Sequence, residues 1–154
     1  VGHSERREIF GETDADVSKK ITTVQKLNMY PIVCVGETLE EREAGKTTEK
    51  VMGQVRAALV GRSVDQVCNM VIAYEPVWAI GTGVSATEEE AQNAHQFIRQ
   101  TLKELLDNGA KKIFISGYSL GAGVSTLCTF DFHANLNKLN AVCPARLHLR
   151  LIGI

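Results

Sequence analysis

Apolar positions along the chain follow two alternating patterns. Residues 32–35, 70–74 and 113–115 are continuous apolar runs, as in parallel strands covered on both faces. Between these runs, residues 47–60 and 87–108 carry apolar side chains at helical spacing. The chain advances 38 residues from Val33 to Val71 and 43 from Val71 to Phe114. Because this length fits a strand, a helix and two loops, the pattern predicts an α/β fold with a parallel sheet.

Capping and stop residues mark the predicted helix ends. Asp14 or Asp16 is expected to cap a first helix. Gly61 ends the second helix, and Thr87 opens a capping box for the third, which stops near residue 109. The predicted inward faces are Val17, Ile21, Val24 and Leu27 in the first helix, Val51, Val55 and Leu59 in the second, and Ala91, Ala94, Ile98, Leu102 and Leu105 in the third.

Composition and charge narrow the classes of function. The 154 residues carry 17 Lys and Arg against 18 Asp and Glu, a formal net charge of −1, and 44% are hydrophobic. This balance is typical of a globular domain and gives no reason to expect nucleic acid or an anionic membrane as a partner. The first residues are charged, and no run of about 18 apolar residues occurs. We therefore expect a cytoplasmic protein.

Cysteine spacing and chain length add two expectations. Cys34, Cys68, Cys128 and Cys143 lie too far apart for a zinc site, so we expect reduced, mostly buried thiols and no metal. A complete eightfold β/α barrel needs about 250 residues. The chain is therefore expected to form an incomplete barrel, or an open parallel sheet of about four strands with flanking helices. Its exposed sheet edges would favour a homo-oligomer.

The first candidate site is Glu75, which follows the apolar run 70–74. Ligand sites in α/β sheets lie beyond the carboxyl ends of the strands. The next loop begins with Pro76, holds the single tryptophan, Trp78, and contains Gly81 and Gly83, a composition typical of a hinged lid. Closure of such a lid would exclude water and strengthen electrostatic interactions at Glu75. Taken alone, a glutamate here is more often a solvated loop residue.

Three segments carry a resemblance to a known family. Residues 2–7 read GHSERR, residues 34–38 read CVGET, and residues 73–83 read AYEPVWAIGTG. In this order they resemble triosephosphate isomerases, from residue 1 to about residue 109, which corresponds to the middle of that family's chain. The resemblance implies part of a TIM-type β/α barrel. It also implies an isomerase of glycolysis and gluconeogenesis that interconverts dihydroxyacetone phosphate and glyceraldehyde 3-phosphate through an enediolate, with no metal or organic cofactor.

The resemblance assigns roles to five residues. Glu75 would be the base that removes the proton next to the substrate carbonyl, and His3 the neutral imidazole that polarises this carbonyl. Glu5 would be a nearby positioning or proton-network carboxylate. The backbone N–H of Gly81 would contact the substrate phosphate when the lid closes, and Glu37 would be structural, near the lid.

Some features of the family do not match. Its early strands supply an asparagine and a lysine that contact the substrate, and the resemblance, which corresponds to the middle of the family's chain, does not include them. The family often has lysine after Gly-Thr-Gly, where this chain has Val84, a change that the loop is expected to tolerate. The late Tyr-Gly-Gly-Ser phosphate site is also missing. Because the lysine places positive charge where the enediolate and phosphate are negative, activity is expected to be weak or absent.

A second candidate site follows the resemblance. Residues 117–121 read GYSLG, the pattern of a nucleophile elbow, and residues 111–135 or so resemble this segment of a class 3 lipase. Ser119 would then be the nucleophile of an ester hydrolase, which also needs an acid and a histidine. Asp131, His133 and His148 follow, but such lipases supply these partners farther downstream. A glycine-bounded turn is therefore the preferred interpretation of Ser119.

Two units are expected on this basis. Residues 1–110 would form isomerase-like β/α units, and residues 111–154 a β/α extension packed on the same sheet. The favoured origin is a chimera of two α/β fragments, and the competing one is a divergent isomerase whose last third has drifted. The expected ligand is a small phosphorylated triose. An ester hydrolase and a non-catalytic fragment remain alternative functions.

Overall fold

The computed structural model describes residues 1–106 and 114–117. This part of the chain forms three strands and six α-helices, with one 3₁₀ helix after the second strand. The strands are β1 (Ile32–Val35), β2 (Val71–Tyr74) and β3 (Phe114–Gly117). The helices are α1 (Ser4–Phe10), α2 (Asp14–Lys26), α3 (Leu39–Glu43), α4 (Thr47–Leu59), α5 (Val64–Cys68) and α6 (Glu88–Leu106), and the 3₁₀ helix is Val77–Ala79.

The sheet is parallel, with the order β1-β2-β3. Val35 pairs with Tyr74, so β1 and β2 end at the same edge of the sheet. On the other side of β1, the Cys34 N–H donates to the Val1 carbonyl at 2.9 Å. The predicted α/β class is confirmed, and three of the expected strands lie in the described part. The rest of the predicted β/α extension, residues 118–154, lies outside the described residues.

The hydrophobic core lies between one face of the sheet and helices α2, α4 and α6. Val33 and Val35 of β1 are almost completely buried in it, whereas Ile32 is 52% exposed. The expectation that both faces of this strand are covered is therefore wrong for the described residues. The apolar run has the composition of a doubly covered strand, but only the face that carries Val33 and Val35 packs against helices here.

The inward faces of the three long helices match the prediction except at the ends of α2 and α6. Leu27 is 63% exposed and Leu105 is 47% exposed. Both lie at a helix end, where the apolar spacing of the sequence continues but no neighbouring element of the described part covers the whole side chain. The cap of α2 also differs: the Thr13 hydroxyl accepts the Asp16 N–H, and the Asp16 carboxylate accepts the Thr13 N–H. Neither Asp14 nor Asp16 is therefore the N-cap residue.

Three short helices were not predicted, namely α1, α3 and α5. Each has five to seven residues, too few for periodicity to show. The two described cysteines, Cys34 and Cys68, are unpaired and only partly buried. Within residues 1–106 and 114–117, no helix is long and apolar enough to cross a membrane, and no group of side chains could hold a metal ion.

Helix α6 offers a matched test of the core. Leu102 is fully buried and Leu105 is 47% exposed, one turn apart on the same helix. Leu102→Ala is expected to lower the free energy of unfolding by about 2–5 kcal/mol, because it leaves a cavity. Leu105→Ala should change it by no more than about 0.5 kcal/mol. Urea denaturation followed by circular dichroism measures both, and equal losses would contradict the assigned face of α6.

Candidate active site

His3 and Glu75, 72 positions apart in the sequence, meet at the carboxyl edge of the sheet. Glu75 follows the last residue of β2, and its N–H extends the ladder by donating to the Val35 carbonyl at 2.7 Å. His3 is the residue that precedes α1. Its Nε2 lies 2.7 Å from Oε1 of Glu75, whose side chain is only 6% exposed. The fold therefore brings the two residues that the resemblance assigned to catalysis into direct contact.

The hydrogen bonds of His3 define its tautomer. The backbone N–H of Glu5 donates to Nδ1 of His3 at 3.3 Å, which makes the imidazole the N-terminal cap of α1. Because Nδ1 accepts, the proton of a neutral ring resides on Nε2, which then donates to the Glu75 carboxylate. In a neutral ring, the single N–H donor of His3 is thus directed at the Glu75 carboxylate.

Ser4 is the third member of this cluster. Its backbone N–H donates to Oε2 of Glu75 at 3.0 Å, and its hydroxyl donates to Oε1 at 3.1 Å. Ser4 is 3% exposed, so both bonds are shielded from water. Sequence reasoning misses this role, although the position of Ser4 beside His3 in the motif is a signal that could have indicated it. Together the three donors hold the Glu75 carboxylate in one position.

The other predicted site residues lie farther from this contact. The Glu5 side chain is 71% exposed, and its carboxylate lies 4.0 Å from Nδ1 of His3, at the outer side of the imidazole. Gly81 lies in the exposed loop after the 3₁₀ helix, with a φ of +71° that favours glycine. No atom within 4 Å would block a side chain there. Ser119 lies outside the described residues.

Glu37 anchors the loop that follows Glu75. It is completely buried, and its carboxylate accepts hydrogen bonds from the Tyr74 hydroxyl and from Trp78 Nε1, each at 3.0 Å. The Thr47 hydroxyl adds a longer bond of 3.4 Å. A buried carboxylate is costly unless it is hydrogen-bonded. These donors meet that requirement and thereby hold the first turn of the predicted lid, as expected for a structural Glu37.

Arg42 covers this anchor from outside. Its guanidinium lies 4.2 Å from the centre of the Trp78 ring, a cation–π contact. It also lies 4.0 Å from the Glu37 carboxylate and pairs closely with Glu90 at the start of α6. The same Glu90 forms the predicted capping box with Thr87, and this N–H bond, assisted by Arg42, lowers the pKa of Glu90. Through Arg42, the start of the loop is thus held against α3 and α6.

Two pKa shifts reflect the charge of these buried carboxylates. Burial, together with the negative charge of Glu75, raises the pKa of the Cys34 thiol. Burial and the neighbouring Glu37 carboxylate raise the pKa of Tyr74 far above its usual range. Tyr74 therefore keeps its proton at any physiological pH and remains a donor to Glu37.

The Glu37 anchor predicts a spectroscopic change at the single tryptophan. Glu37→Gln replaces one acceptor oxygen by an amide group that faces the donors Tyr74 and Trp78. We expect a loss of about 1–3 kcal/mol in unfolding free energy, and a red shift of Trp78 emission as the loop loosens. Glu89→Gln, on the exposed surface of α6, is the control. Unchanged emission and stability in Glu37→Gln would contradict the anchor.

Comparison of the sequence with known proteins shows the family of this chain. The sequence model of the family described as triosephosphate isomerase matches residues 1–128. A triosephosphate isomerase from Pediococcus pentosaceus is 53% identical over 107 residues, which are 70% of this chain and 43% of that protein. One from Moorella thermoacetica is 55% identical over 115 residues, 75% of this chain and 46% of that protein. The chain thus spans less than half the length of these curated relatives, and it belongs to the triosephosphate isomerase family.

Proposed function

We propose that this chain carries the proton-transfer groups of a triose-phosphate isomerase, with Glu75 as the base and His3 as the electrophile. The observation that carries the proposal is the 2.7 Å contact between Nε2 of His3 and Oε1 of Glu75. General acid–base catalysis needs both groups within hydrogen-bonding reach of one substrate. A carbonyl compound that enters between them meets a donor and a base at adjacent atoms.

The chemistry follows from the positions of these two groups. In dihydroxyacetone phosphate, the Glu75 carboxylate takes a proton from the hydroxymethyl carbon next to the carbonyl. The electron pair of the broken C–H bond forms the C=C bond of an enediolate, and the carbonyl oxygen becomes the charged oxygen that faces Nε2–H of His3. The abstracted proton returns to the former carbonyl carbon, while the hydroxyl proton on the former hydroxymethyl carbon passes to the charged oxygen. The former hydroxymethyl carbon thus becomes the aldehyde carbon of glyceraldehyde 3-phosphate, and none of these proton transfers needs a metal or an organic cofactor.

The lid and the remaining site residues have supporting roles in this proposal. The Gly81 N–H would bind the phosphate when the loop closes. The Glu5 carboxylate would be a positioning or proton-network group beside Nδ1 of His3. In the structure Glu75 is bonded to Ser4 and His3, so the substrate must displace one of these contacts before the carboxylate can reach a C–H bond. The described conformation is thus a resting arrangement of the base.

Assembly, location and domain division are further parts of the proposal. The relatives are named as isomerases, and their reaction belongs to cytoplasmic glycolysis, so the same location is proposed for this chain. The half-exposed Ile32 on β1 is consistent with association of copies through the open sheet. We also propose the division into residues 1–110 and 111–154; β3, the described part of the second unit, pairs with β2.

The ester-hydrolase alternative has no support in these findings. The family match extends to residue 128 and thus includes Ser119, and both relatives are named triosephosphate isomerase. No serine of the described residues forms a triad with His3, because the imidazole is occupied by Glu5 N–H and Glu75. The remaining alternative to the proposed isomerase is a non-catalytic chain.

Proton abstraction is tested most sensitively by deuterium exchange. The 154-residue chain is incubated with dihydroxyacetone phosphate in D₂O, and loss of the C1 proton signal is followed by NMR. Because Glu75→Gln and His3→Gln remove the base and the electrophile, each is expected to slow the catalysed exchange by roughly 10²–10⁴-fold. A coupled isomerase assay measures turnover in parallel.

The controls separate the three candidate functions. Glu89→Gln should exchange at the wild-type rate, since its side chain is exposed on α6. Ser119→Ala should leave both the exchange and any chromogenic-ester background unchanged. Equal exchange by wild type, Glu75→Gln and His3→Gln would refute the proposed catalysis and leave the non-catalytic chain.

A second prediction tests whether Glu75 is ionised in the site. Its charge contributes to the raised pKa of Cys34, so Glu75→Gln should lower this pKa. The alkylation rate of Cys34 by iodoacetamide, followed against pH by mass spectrometry of its peptide, should therefore reach its midpoint at lower pH in the variant, since the thiolate reacts. Glu89→Gln is again the control. An unchanged midpoint in Glu75→Gln would mean that no charge faces the thiol.

A further inference from the structure

We propose that Gln54, on α4, is a positioning residue for Glu75, and that it acts through the backbone of Gly36. The role of Glu75 as a base rests on the proposed function, whereas the connection from Gln54 through Gly36 to Glu75 is a property of the fold. The connection has three parts: a buried hydrogen bond from Gly36 to Gln54, a close approach of Gly36 to the Glu75 carbonyl, and a backbone bond from the lid to Glu37.

Residue 36 must be glycine because no side chain fits there, and not because of its backbone dihedral angles. A Cβ built on this residue would lie 1.7 Å from the Glu75 carbonyl oxygen and 2.7 Å from the Glu75 carbonyl carbon. Its φ is not in the left-handed region, which distinguishes it from Gly81 and Gly83. The backbone of Glu75 therefore rests directly on the Cα of Gly36. Any displacement of Gly36 changes where the Glu75 side chain begins.

Gln54 fixes Gly36 by satisfying its N–H. In β1, the Cys34 N–H donates to Val1, but at Gly36 the neighbouring segment has already turned into α1. The Gly36 N–H instead donates to Oε1 of Gln54 at 2.8 Å, in a buried bond between residues 18 positions apart. A buried N–H without a partner is costly, so this bond determines the position of the strand end.

The amide is not explained by packing alone. Gln54 is 4% exposed and lies between Val51 and Val55 on a helix that is otherwise apolar on its buried side. An apolar side chain would fill this position without the cost of burying an amide. Unlike an apolar side chain, the Gln54 amide accepts a hydrogen bond from the Gly36 N–H.

The same point of the backbone also supports the lid. The Val77 N–H donates to the Glu37 carbonyl at 3.1 Å, one residue after Gly36. The base and the first turn of the lid thus rest on adjacent residues of one segment. Because Gln54 holds this segment from α4, removal of its acceptor should move both the Glu75 carboxylate and its partners Ser4 and His3.

The test follows the partners of Glu75 by NMR of the ¹⁵N-labelled 154-residue chain, without any need for turnover. The Ser4 amide and His3 Nε2 resonances report the two sides of the carboxylate. In Gln54→Leu, which removes the acceptor, both resonances should shift, and the Ser4 amide should exchange with solvent roughly tenfold faster, as expected for a weakened hydrogen bond. Gln54→Glu, which retains an acceptor oxygen, should restore the wild-type signals.

Two glycine variants complete the experiment. Gly36→Ala should produce the same changes as Gln54→Leu, whereas Gly53→Ala, next to Gln54 on α4, has no atom within 4 Å of the added Cβ and should produce none. A purely structural role would lower the unfolding temperature of Gln54→Leu and leave the Ser4 and His3 signals of the folded chain unchanged, which would overturn the proposal. Equal shifts in Gly53→Ala would overturn it as well.

Two further measurements report folding and catalysis separately from the NMR result. Circular dichroism establishes that each variant is folded, and should Gln54→Leu not fold, Gln54→Asn, which withdraws the acceptor from Gly36, is judged by the same two signals. The deuterium-exchange assay decides independently whether Glu75 is a base. Shifted Ser4 and His3 signals without any wild-type exchange would support the positioning role and refute the catalytic one.

Discussion

The contact between the Glu75 carboxylate and the start of α1 is the interaction on which the site depends. Three donors, from Ser4 and His3, converge on one side chain that is almost fully buried. The contact exists only because β1 and β2 are parallel neighbours and because the segment before α1 runs beside β1. The proposed acid–base pair is therefore a consequence of the sheet order.

A second buried carboxylate makes the lid part of the same structure. Glu37 lies one residue after Gly36, and its charge is stabilised by donors from β2 and from the 3₁₀ helix of the loop. An uncompensated charge at such a position would cost several kcal/mol or more. The loop is thus held at its beginning by electrostatics, while its exposed glycines leave the later part sterically open.

Much of the fold was predictable because its signals are local. The apolar runs indicated β1 and β2 within a residue, and β3 begins one residue later than expected. The capping box at Thr87 was confirmed, whereas that of α2 starts at Thr13 because a hydroxyl and the Asp16 carboxylate bond reciprocally. The exposure of Leu105 was not predictable, since periodicity identifies a face but not where its packing partner ends.

The sequence by itself determined the strands, the three long helices and the family, and it predicted the roles of Glu75 and His3, because periodicity, capping and motifs depend on neighbouring residues. Only the tertiary structure decided that Ser4 holds the carboxylate, that Glu5 lies at the exposed side of the imidazole, and that Gln54 reaches Gly36. The contacts of Ser4 and of Gln54 join residues that are 71 and 18 positions apart in the chain. Their distances depend on strand order and helix packing, which no local pattern specifies.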